Sequence, residues 1–136
     1  MLLDLKEVIN KEKLAVEKQL ALLDKQNRLI MKNNAIELEV VAEEIQSVSR
    51  EIAQYEMEKR NILKDRNLKE LVFESDDKEL EQLFRDTKKK VELLKLQNDT
   101  NALLIKQQLS YTNKMLMILN PSRDAKTYNS YGKIKR

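Results

Sequence analysis

The chain holds one proline and one glycine, Pro121 and Gly132, in 136 residues. Its first 120 positions therefore lack the two residues that most readily interrupt a helix. What such a stretch folds into is set by the period at which its apolar side chains recur. Charged residues make up 36% of the sequence and aromatic ones 4%. That balance suits long helices and coiled coils and suits a large globular core poorly. No run of about 18 apolar residues is present, so no membrane insertion is expected. Met1 leads into "LLDLKEVINKEK", which turns charged too soon for a signal peptide. Cysteine is absent, which excludes disulfides and thiolate chemistry. The expectation is an all-α, cytoplasmic protein.

Three long segments have helical periodicity. In the first, roughly Leu2 to Met31, the apolar stripe Leu2, Leu5, Ile9, Val16, Leu20, Leu23 and Ile30 is interrupted by Glu12 and Asn27. Lys32–Asn34 is either a break or a jog in one longer helix. Asn34 with Glu37 three residues on has the form of a capping box, which favours the break. The second segment, roughly Asn34 to Arg66, has a heptad seam of Leu38, Val41, Ile45, Val48, Ile52, Tyr55 and Ile62 with Lys59 as its polar intruder. It should pack lengthwise against a partner helix. "NLKELVFESDD" suits a helix poorly at Val72, Phe73 and Ser75 and reads as a connection, with Asp76 and Glu79 marking a new N-terminus. The third segment, roughly Asp77 to Leu119, would be some 60 Å long. Its stripe places Asn98 in the middle, where a buried amide would need a partner. These segments predict an elongated antiparallel helical hairpin or a three-helix bundle of long helices.

The end of the third segment carries more apolar side chains than one seam needs. On a wheel of about 100° per residue, Ala102, Leu109, Leu116 and Leu119 lie within about 60° of Ile105 and form the seam. Leu104, Tyr111, Met115 and Ile118 cluster at about 80–140° on one side, so the apolar arc covers about 200°. Leu103 and Met117 fall outside even that arc. The seam is expected to face the heptad helix of the same chain. The second face is covered either by the first helix or by an external partner. Flexible, polarizable Met115 and Met117 favour a partner, as does the position of the surplus at the helix end.

Chemistry is poorly served. There is no His, no Cys and no glycine-rich phosphate loop, so no catalytic residue, cofactor or metal ligand is assigned and no enzyme is expected. "EMEKR" at Glu56–Arg60 reads as intrahelical ion pairs. Residues 121–136 contain Arg123, Lys126, Lys133, Lys135 and Arg136 against Asp124, a net +4 that leaves −1 for residues 1–120 of a chain whose total is +3. A near-neutral body argues against nucleic-acid binding. The expected division is a helical domain over 1–120 and a flexible, disordered basic tail over 121–136, in which Tyr128 and Tyr131 are available as anchors for a partner's pocket.

The order "EMEKRNILK", a long helix, "NDTNALLIKQQLSYTNKMLMILNP" and then "TYNSYGK" resembles the FlgN-type flagellar export chaperones. That family has an "E..R..LL" stretch, a helix with "N..LL..SL.Y...ML..L" and a tail with "TYG..G". The matching positions are Asn101, Leu104, Leu109, Tyr111, Met115, Leu116 and Leu119, then Thr127, Tyr128 and Gly132; Asn129 stands where the family has its first tail glycine. The resemblance implies a small helical cytoplasmic chaperone. It would bind the terminal region of hook-associated (hook–filament junction) proteins on its C-terminal helix. It would then deliver them to the flagellar export gate, with Tyr128 docking on the gate's membrane-anchored subunit. The client contacts expected are Leu103, Leu104, Tyr111, Met115 and Ile118, the last four on the arc beside the seam. Two other readings fit the residues: a self-associating coiled-coil or tethering protein without a client, and a basic adaptor that meets nucleic acid or an anionic membrane through its tail. Monomer and dimer both remain open.

Overall fold

The computed structural model describes residues 1–119, and all three expected long helices are present. They are α1 (Leu2–Met31), α2 (Ala35–Leu63) and α4 (Lys78–Leu119), with a short α3 (Leu68–Glu74) between the last two. By packing, residues 1–101 form one compact unit, and residues 102–119 belong to a second.

Within residues 1–101 the break after α1 is real and chemically specified. Asn33 takes a left-handed φ of 56°, and its N–H donates to the Ile30 carbonyl while that of Asn34 donates to Leu29. This is the Schellman closure, and Asn tolerates the left-handed position better than most residues. Asn34 Oδ1 then accepts from the Glu37 N–H at 3.1 Å and opens α2. Asn67 caps α3 in the same way through the Glu70 N–H. At the start of α4 the cap is Asp77, whose Oδ1 accepts from Leu80 N–H, and not Asp76 as the sequence suggested. Asp76 instead takes the left-handed turn, with φ 57°.

The connection "NLKELVFE" is helical, contrary to expectation. Val72 has weak helix propensity, but it is buried together with Leu5, Ile9, Leu63 and Leu80, with Leu68 and Leu71 packed alongside. Burying a Val or Leu side chain is worth about 1.5–3 kcal/mol, which exceeds any propensity deficit of a few tenths. Phe73 meets Phe84 edge-on at 6.2 Å, with the Arg85 guanidinium over its ring.

α1 is the central helix. It buries residues along most of its length, from Leu5 to Ile30, whereas α2 buries Val41, Val48 and Leu63 and α4 buries Leu80, Thr87 and Asn101. α2 returns antiparallel to α1, as the pairs Lys18–Glu51 and Lys25–Glu44 show. α4 runs parallel to α1, from Lys6–Asp77 through Glu17–Lys90 to Asn27–Asn101. Within residues 1–101 the result is a bundle of three long helices in which α2 and α4 pack against α1.

Candidate functional site

The polar residues that interrupt the stripes find each other across the bundle. Glu12 of α1 is 2% exposed, and its carboxylate accepts from Lys59 Nζ at 2.9 Å. The same ammonium donates to Glu56 at 2.7 Å. Burial pushes the Glu12 carboxyl up to about 7, helped by a hydrogen bond with Glu56 and opposed by Lys59. The bond with Glu12 holds Glu56 below the ordinary carboxylate range. Burial works against the charge on Lys59, but the two carboxylates outweigh it and raise its pKa. Two carboxyl groups thus share one half-buried ammonium, and Glu12 is the one whose proton is held more tightly.

A second layer lies seven residues along α1, where Gln19 Nε2 donates to the Ile45 carbonyl at 3.0 Å and to Ser49 Oγ at 2.9 Å. A third lies seven further. Asn101, 1% exposed, donates through Nδ2 to the Leu23 carbonyl and Gln26 Oε1, while its Oδ1 accepts from Asn27 and Gln97. Two donor hydrogens and two acceptor lone pairs are all used, so this amide is buried without an unmet bond. The sequence stripe had put Asn98 in this place. Asn98 is exposed, and the register of α4 is one residue off the expected seam by this point. The covered seam keeps a step of seven through Leu80, Thr87, Leu94 and Asn101, and at Asn101 the amide completes four hydrogen bonds.

These layers set alignment. A polar contact made at one register of a helix pair is lost at every other register. Two cavities of about 290 and 250 Å³ open among α1, α2 and α4, with Lys95 lining both. The larger is walled by Ile9, Leu68, Phe84 and Val91 beside the Glu12–Lys59–Glu56 group. Among the described residues no group of His, Cys, Asp or Glu is arranged to hold a metal ion. No helix there is long and apolar enough to cross a membrane.

Residues 102–119 form the end of α4, and none of them is buried. Leu104 and Ile105 are half-buried. Of the expected contact residues, Leu103 is 56% exposed, Tyr111 66%, Met115 39% and Ile118 73%. The seam residues Leu109, Leu116 and Leu119, expected to lie against the heptad helix, are exposed as well. Apolar side chains therefore face solvent on both the seam and the side face of residues 102–119. Tyr128, expected to dock on an export-gate subunit, lies outside the described residues.

Missed by sequence reasoning were the pairings of Glu12 with Lys59 and Asn27 with Asn101. The signal was present, since Glu12, Gln19 and Gln26 recur at a strict interval of seven on α1. None of the curated proteins and none of the solved structures gives a significant match to the chain. The family model described as FlgN protein matches residues 1–136, from the polar layers to the exposed end of α4 and on through the tail. By that full-length match the chain belongs to the FlgN family of flagellar export chaperones.

Proposed function

We propose that the chain binds the terminal helical region of hook-associated proteins in the cytoplasm, keeps them unassembled and hands them to the flagellar export gate. The observation that carries this reading is the exposure of Leu103, Tyr111, Met115 and Ile118 on a helix that contains no buried residue after Asn101. In this reading Leu104 joins them as a contact. Residues 1–120 serve as the chaperone domain, and 121–136 as a tail whose Tyr128 meets the gate's membrane-anchored subunit.

The mechanism is an exchange of apolar partners. Polymerising junction proteins have terminal segments that are unfolded before assembly. A standard interface of about 800 Å² on the chaperone side, at about 25 cal/mol per Å², stabilises the complex by roughly 20 kcal/mol before ordering costs. Ordering the client and losing its free motion offset most of that, which leaves a complex that dissociates without a covalent step.

The decisive variant is Ile118→Asp. Its side chain is exposed, so circular dichroism should show an unchanged helical fold, while pull-down of a hook-associated protein is lost. Leu104→Asp, at a half-buried position, should also lose the pull-down while the chain stays helical. Retained binding by both variants would refute the contact surface. Sedimentation of the free chain separates this reading from a self-associating coiled coil: a tight dimer that hides Met115 and Ile118 supports the latter.

A further inference from the structure

From Ala102 to Leu119 the charged side chains are Lys106 and Lys114, and the nearest acidic residues in sequence are Asp99 and Asp124. The other long helical stretches mix both signs and pair them internally. α1 joins Lys11 to Glu7 and Arg28 to Asp24, α2 joins Lys59 to Glu56, and the first turns of α4 join Arg85 to Glu81. Lys106 and Lys114 are exposed, and neither has an acidic neighbour among the described residues.

Their positions are regular with respect to the apolar surface. At about 100° per residue the apolar arc runs from Ala102 through Ile105 to Ile118 and covers about 200°. Lys106 stands four residues from Ala102 and Lys114 four residues from Ile118. Each therefore lies about 40° outside one border of the arc, with Met117 and Leu103 in the gap between the two lysines. The apolar stripe of a single amphipathic helix spans roughly 100°, so one helix leaves half of this arc uncovered. Two helices fill it, and each then has one lysine at its outer edge, the place that flanking charges occupy in coiled coils and use to select partners.

We propose that the partner of residues 102–119 is a pair of amphipathic helices whose apolar stripes are flanked by Asp or Glu on the edges that meet Lys106 and Lys114. This rests on the reading of 102–119 as the client-binding segment and adds the chemistry that selects the client. A second copy of the chain is a poor occupant. Its own 102–119 segment brings two more lysines and no carboxylate, so like charges meet where opposite ones are needed.

The test is calorimetric titration of the full-length chain at low and at high salt. The titrants are a hook-associated protein and a synthetic helix–turn–helix peptide with a leucine seam flanked by glutamate. An isomer of that peptide flanked by lysine is the control. The expected result is preference for the glutamate-flanked peptide. The double variant Lys106→Glu/Lys114→Glu should bind both it and the hook-associated protein about tenfold more weakly at low salt, with the loss shrinking at high salt. Lys106→Arg/Lys114→Arg should bind as the wild type does. Equal affinity for the two peptides, unchanged binding by the double glutamate variant, or a tight dimer of the free chain hiding Met115 and Ile118 would overturn the proposal. If the hook-associated protein fails to bind while the glutamate-flanked peptide is preferred, the charge selection stands and the client is a different protein. If the hook-associated protein binds with no response to charge reversal, the client reading stands and the charge selection falls.

Discussion

Replacing Glu12 with glutamine should flatten the dependence of the bundle's stability on pH. Glu12 sits at 2% exposure between Lys59 and Glu56, with its carboxyl raised from 4.5 to about 7, chiefly by burial. Between those values the folded chain holds a proton that the unfolded chain has released. The resulting stabilisation is complete below the unfolded pKa and disappears as pH rises through about 7. Glu56 behaves in the opposite sense. Its pKa is lowered, so its contribution is present above the unfolded value and is lost only in acid. From about pH 5 to about pH 8 the Glu12 contribution is thus the one that changes. At 1.36 kcal/mol per pH unit, a rise from 4.5 to about 7 amounts to about 3 kcal/mol, or roughly 10 °C in melting temperature for a chain of this size. Urea unfolding followed by circular dichroism across that range should show the wild type losing stability as pH rises. Glu12→Gln, which keeps the shape and a hydrogen bond to Lys59, should show almost no slope. A wild type that gains stability between pH 5 and 8, or a variant with the same slope as the wild type, would refute the assignment of the buried proton to Glu12.

The remaining predictions concern alignment and caps. Asn101→Ala strands the Leu23 carbonyl and three side-chain amides and should cost about 3 kcal/mol in urea unfolding, whereas Asn98→Ala, one turn earlier and exposed, should stay within about 0.5 kcal/mol. Lys59→Ala leaves Glu12 and Glu56 facing each other without a cation. It should destabilise by about 3 kcal/mol, with a larger loss at alkaline than at acid pH. Asn33→Gly should be nearly neutral and Asn33→Val should cost about 1–2 kcal/mol, because the φ of 56° is easy for glycine and severe for a β-branched residue.

Much of the architecture is legible in the residues. The Asn34–Glu37 cap, the heptad seam of α2 and the closing stretch of α4 are local patterns, written within a few turns of chain. Each needs only its own neighbours to be satisfied. The apolar surplus on Leu103, Tyr111, Met115 and Ile118 is readable for the same reason, since a helical wheel is a local property. α3 was not legible. Val72 and Phe73 argue against a helix locally, and only the contact of Val72 with Leu5, Ile9 and Leu80 reverses that preference. The exposure of Leu109, Leu116 and Leu119 was not legible either, because periodicity shows that a face is apolar but not whether a partner lies opposite.

By itself, then, the sequence determined that this chain is helical, where its long helices begin and end, and that its last helical turns are too apolar for one seam. Tertiary structure alone decided which polar interruptions belong together. Glu12 meets Lys59 from 47 residues away, and Asn27 meets Asn101 from 74. The physical reason is that an apolar stripe repeats and so tolerates any register, whereas a buried carboxylate or amide is satisfied only where its partner's atoms stand within hydrogen-bonding distance. That distance exists only after the helices have packed.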